Sequence, residues 1–87
     1  MGTIMSPPET EQEAIALLRR VVWYLSGKKV RLVGPAILEY GAIEFRVCGA
    51  TLRKSNKTDK YYVVVFGVDN KVTTAVAIRQ FNELELI

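Results

Sequence analysis

Lys60-Tyr61-Tyr62-Val63-Val64-Val65-Phe66-Gly67-Val68 limits the kind of fold this chain can adopt more than any other segment. From Tyr61 to Val68 every residue but Gly67 is β-branched or aromatic. Such side chains suit a pleated surface with neighbours on both sides. The run is far short of the roughly 18–20 apolar residues a membrane helix needs. Polar, turn-forming residues bound it, Ser55–Asp59 before and Asp69-Asn70 after. The segment therefore predicts a central strand, entered and left through hairpins.

C-terminal to it, Lys71–Arg79 alternates, with Val72, Thr74, Val76 and Ile78 on one side and Thr73, Ala75 and Ala77 on the other. Its Val/Thr/Ile content argues for strand over a helix starting at Asp69. The chain ends on alternating Glu83, Leu84, Glu85 and Leu86 within Phe81–Ile87. In the other direction, Ile43-Glu44-Phe45-Arg46-Val47 places Ile43, Phe45 and Val47 on a buried face, and Gly49–Lys54 continues that strand beyond a glycine bulge. Lys28–Val33 reads as a further strand. Gly34-Pro35 interrupts it as a bulge or edge kink, and Ala36–Tyr40 resumes extended structure.

The period changes before Lys28. Ala14, Leu18, Val21, Val22 and Leu25 share one helical face, widened by Ile15 and Leu17. Ser6-Pro7-Pro8-Glu9 carries the pattern of a capping box with proline in the first turn. A helix is expected over 7–25, after a flexible tail 1–5. Gly27 is free to take the left-handed conformation that stops it. The expected fold is α+β in a single domain 1–87: one N-terminal helix packed on an antiparallel sheet of about four strands within 28–80.

Helix, long kinked strand, hairpin, hairpin resembles the cystatin layout (α-β-β-β-β). Cystatin inhibitors carry a Gln-x-Val-x-Gly hairpin and a later Pro-Trp. The comparable regions here read Leu38-Glu39-Tyr40-Gly41-Ala42 and Gly67-Val68-Asp69-Asn70, so the resemblance is of layout and does not imply protease inhibition. The helix-plus-strands plan is also similar to the small Alu-binding proteins of the signal recognition particle, which bind RNA on a sheet, but it lacks their second helix.

Composition narrows the function classes. The chain of 87 residues has no histidine and one cysteine, Cys48. The commonest general base, the Ser-His and Cys-His nucleophile pairs, and thiolate metal cages are therefore missing. Glu39 and Glu44 flank an expected turn and read as solvated. Cys48 reads as a half-buried strand residue opposite Phe45. No enzyme, metal, cofactor or small-molecule substrate is expected, and no membrane association. The acidic, proline-bearing start does not read as a signal peptide, and a cytoplasmic location is the expectation.

Two surfaces remain. One helix covers one face of a sheet, and the second face is not convincingly polar, because Val63, Val65, Ala75 and Ala77 are available to it. Exposed apolar area of that size marks an interface. The leading expectation is a non-enzymatic interaction module that binds a protein partner or itself, as a homo-dimer, through those residues. Trp23 either caps the core edge or serves as an exposed anchor. The alternative follows from charge. The net charge is +3, yet residues 28–60 alone carry eight basic and three acidic side chains. Arg53, Lys54, Lys57 and Lys60 surround the expected hairpin loop beside Tyr61 and Tyr62, and Lys28 and Arg46 extend the set. Cations beside aromatics are the means of tracking a phosphate backbone, hence a nucleic-acid-binding module.

Overall fold

The computed structural model describes residues 10–87. Its elements are α1 (Glu11–Leu25), β1 (Lys29–Leu32), α2 (Pro35–Tyr40), β2 (Glu44–Lys54), β3 (Tyr61–Asp69), β4 (Val72–Ile78), a 3-10 turn (Phe81–Glu83) and β5 (Leu84–Leu86). The five strands form one antiparallel sheet in the order β4-β3-β2-β1-β5. The fold is α+β as expected, with five strands in place of four. The added strand is the C-terminal Leu84–Leu86, which pairs with β1.

The helix starts at Glu11, later than the Ser6-Pro7-Pro8-Glu9 cap suggested. Thr10 is extended (φ −117°, ψ 158°), so the helix does not run through it. Its Oγ1 accepts from the Glu13 N–H at 3.2 Å, the first half of a capping box with the same spacing as Ser6 to Glu9. The Ser6-Pro7-Pro8-Glu9 cap and the tail 1–5 lie outside the described residues. At the other end Gly27, with φ +77°, stops the helix as expected. Ala14, Leu17, Val21 and Leu25 form the buried face.

Ala36–Tyr40 is helical, not extended. Gly34 (φ +67°) turns the chain, Pro35 supplies a pre-set first helical φ, and the Gly41 N–H closes on the Ile37 carbonyl at 2.8 Å. Gly34 and Gly41 enclose six residues, enough for a turn and a half of helix but too few for a periodicity to show. The β3–β4 turn is also displaced by one residue from Asp69-Asn70. Positive φ falls on Asn70 (47°) and Lys71 (70°), the pair a tight hairpin turn requires. The glycine bulge stands where the sequence puts it, as a register shift between Val47 and Gly49.

The core lies between α1 and one face of the sheet. Val30, Leu32, Phe45, Val47, Val63, Val65, Val76, Ile78 and Leu84 join Leu17, Val21 and Leu25 in one buried cluster. The sheet curls around it. The Tyr40 hydroxyl, in the segment after β1, accepts from the Ala77 N–H of β4 at 3.1 Å. Strands β1 and β4 stand three places apart, about 14 Å in a flat sheet at ~4.8 Å per strand, so curling is what brings the two sides together. The Glu83 carboxylate closes the β4–β5 connection, accepting from the Arg79 N–H at 2.7 Å and the Gln80 N–H at 3.0 Å. No helix among the described residues is long and apolar enough to cross a membrane.

Candidate functional site

Strand parity decides what the uncovered face displays. Val63 and Val65 were expected to face outward with Ala75 and Ala77; both are 0% exposed and point into the core beneath α1. The reason lies in Gly67. A Cβ there would run into the Phe45 ring and the Arg46 carbonyl. Gly67 must therefore share the covered face with Phe45, and alternation then takes Val65 and Val63 inward with it. Ala75 and Ala77 do stand on the uncovered face, and their partners there are Phe66 and Val64.

The registers give this face row by row. Arg46 pairs with Val68, and Val68 with Thr73. Phe66 lies between Gly49 and Ala75, Val64 between Thr51 and Ala77, and Tyr62 beside Arg53. Carrying the β3–β4 register one step beyond Ile78 sets Arg79 on the other side of Tyr62. Tyr62, Val64 and Phe66 are partly buried, and Ala75, Val68, Arg46, Arg53 and Arg79 are exposed. The small residues at Gly49, Ala75 and Ala77 leave the flanks of Phe66 and Val64 low. The centre of the face is thus apolar and aromatic, with arginines at its rim. Sequence reading does not single out Val64, Phe66 or Arg79; the glycine at position 67 is the available signal for the parity.

Towards β1 and β5 the same face is charged and paired. Lys29 Nζ lies 3.8 Å from Glu44 Oε1, and Arg31 Nη2 lies 2.9 Å from Glu85 Oε1. The hydrogen bond and charge of Glu85 raise the Arg31 guanidinium pKa above its ordinary value. Exposed pairs of this kind add little stability. They do neutralise one half of the face and leave the β2–β4 half to Arg46, Arg53 and Arg79.

The six basic residues singled out in the sequence separate into two groups. Arg46 Nη1 donates to the Gly27 carbonyl at 2.7 Å, beside Lys28 where α1 hands over to β1. Arg53, Lys54, Lys57 and Lys60 stand at the other end of β2, roughly 23 Å from Arg46 at ~3.3 Å per strand residue. In that second group Lys54 Nζ is 5.5 Å from the Tyr61 ring centroid and 3.8 Å from Asp59 Oδ1, while Lys57 and Lys60 are exposed on the turn.

Cys48 is exposed, not half-buried, because the bulge lifts it; its thiol lies 3.7 Å from the Arg46 carbonyl. Trp23 is 82% exposed on α1 and so does not cap the core edge. Among the described residues no group of three or more His, Cys, Asp or Glu side chains is placed to hold a metal ion. Comparison with known proteins gives no match: no family model, no curated protein and no solved structure matches this chain.

Proposed function

We propose that this chain is a non-catalytic interaction module that binds a protein, either a partner or a second copy of itself, through the uncovered face of β2, β3 and β4. The observation that carries this reading is the row structure of that face: Tyr62, Val64 and Phe66 at the centre, low neighbours at Ala75 and Ala77, and Arg53, Arg79 and Arg46 at the rim. An apolar, aromatic centre with arginine at its margin is the composition of protein interfaces. The chain has no histidine and a single cysteine, which weighs against acid–base or nucleophilic chemistry. We place it in the cytoplasm on the strength of the exposed free thiol Cys48, which a reducing compartment preserves.

The test is a photo-crosslinking residue placed at position 66 in one variant and at position 57 in another, irradiated in cells that make the protein. Protein adducts at 66 and few at 57 are the expected result, with adduct mass separating self-association from a partner. Absence of protein adducts at 66 overturns the reading.

A second reading rests on a separate observation. Arg53 stands across from Tyr62, Lys54 lies over Tyr61, and Lys57 and Lys60 flank the same turn. Tyr62 and the turn's cations are suited to single-stranded nucleic acid, with phosphates on Arg53, Lys57 and Lys60 and a base against Tyr62, while Lys54 and Tyr61 point to the opposite face of the sheet. It calls for anisotropy titrations of labelled RNA and DNA at two salt concentrations. Salt-sensitive binding lost in a variant with Arg53→Glu, Lys57→Glu and Lys60→Glu favours it; no binding at low salt removes it. Lys28 and Arg46 are too distant to belong to that surface.

A further inference from the structure

The β5 edge of the sheet carries a different set of groups from the face just described. Ile87 N–H donates to the Lys29 carbonyl at 3.1 Å, and the Glu83 carbonyl accepts from Val33 N–H at 3.0 Å. Residues 83, 85 and 87 thus turn their backbone groups to β1, and by strand alternation residues 84 and 86 turn theirs away. The Leu84 N–H is satisfied within the 3-10 turn, where it donates to the Phe81 carbonyl. The Leu84 carbonyl and both backbone groups of Leu86 are left facing outward on an edge that no strand covers among the described residues.

Beside this edge, between α1 and β5, lies an open groove of about 580 Å³. Leu25, Val33, Phe81 and Leu84 line it, and Leu86, 54% exposed, forms its outer margin. Tyr24 meets Phe81 edge-to-face with ring centroids 6.3 Å apart, and the Arg20 guanidinium sits 4.4 Å from the Phe81 centroid. No ion pair among the described residues engages Arg20. The carboxylate bordering the groove, Glu85, is already held by Arg31. The groove is therefore mostly apolar, with Asn82 the neutral polar side chain in its lining, and positive at one side.

We propose that this edge and groove together receive an extended segment of a partner protein, apolar and acidic in character, as a sixth strand beside β5. One residue of the segment exchanges two hydrogen bonds with Leu86, and a neighbouring N–H donates to the Leu84 carbonyl. Alternate side chains then point into the groove: an apolar one packs against Leu86 and Phe81, and a carboxylate two positions along meets Arg20. Strand addition supplies affinity through the main chain and specificity through alternate side-chain positions. The charge of Arg20 selects an acidic segment over a basic one. This surface is separate from the uncovered face of β2–β4, and the proposal does not depend on that reading.

The experiment uses a fluorescein-labelled hexapeptide, Thr-Leu-Thr-Leu-Thr-Glu, with a second peptide ending in Lys as its charge control. Anisotropy titrations with the full chain are expected to show saturable binding of the first, at least tenfold tighter than the second. Arg20→Glu is expected to weaken the first peptide at least tenfold and to reverse the preference. Leu86→Pro removes the outward N–H while sparing the β1 ladder, and is expected to weaken binding by a similar factor; a peptide N-methylated at alternate positions makes the same test if that variant melts early. Lys71→Glu, the same change of charge placed on the β3–β4 turn, is expected to leave binding unchanged. Absence of saturable binding overturns the proposal, as does binding indifferent to Arg20→Glu and to N-methylation. Sedimentation showing self-association that Leu86→Pro abolishes, and that the peptide does not displace, makes a second copy the occupant and overturns it too.

Discussion

Gly67 carries more of the architecture than any large side chain in β3. Its missing Cβ is the space that the Phe45 ring occupies, and its place on the covered face orients Val63 and Val65 toward α1. Gly67→Ala therefore forces the ring and the β2 backbone to shift. Overpacking of this kind costs about 1–3 kcal/mol, and thermal or urea unfolding is expected to show a loss of that size. The uncovered face gains nothing from the change, so the loss belongs to the core. An equal stability of the variant and the parent protein would contradict the placement of Phe45.

At the scale of elements, caps and stops set the boundaries. Thr10 satisfies the Glu13 N–H of α1, and Thr10→Ala is expected to cost about 1 kcal/mol, measured as a lower midpoint in urea with an unchanged slope. Ser6 carries the same motif four residues earlier, which is why the sequence alone favours a longer helix. The short helix α2 shows the opposite difficulty. Its six residues lie between Gly34 and Gly41, too few to display a period, so punctuation by Gly-Pro and Gly is the only sign of it. The strands are legible wherever one face is apolar and the other polar, as in Ile43–Val47. In Tyr62–Phe66 the strand is legible but its facing is not, because both parities are apolar.

At the scale of the whole molecule, curling joins what the chain order separates. The Tyr40 hydroxyl accepts from Ala77 N–H on the outer strand β4. Tyr40→Phe leaves that N–H without its partner at a cost of about 1 kcal/mol. The Ala77 amide is expected to exchange faster with solvent deuterium in the variant, while amides of β1 keep their protection. Uniform acceleration across the sheet would mean that the contact supports global stability and does not act at the β4 edge.

The class of fold, the amphipathic helix, the glycine bulge in β2 and the concentration of positive charge in residues 28–60 are written along the chain, because each is a local pattern of spacing, propensity or composition. Which valines face α1, the pairing of Leu84–Leu86 with β1 and the division of the basic residues between the two ends of β2 emerge only when the chain is packed. Those outcomes depend on register and on packing between segments distant in the chain. A side-chain period of two leaves two equivalent parities when both are apolar, and the choice between them was made by one close approach, Phe45 over Gly67.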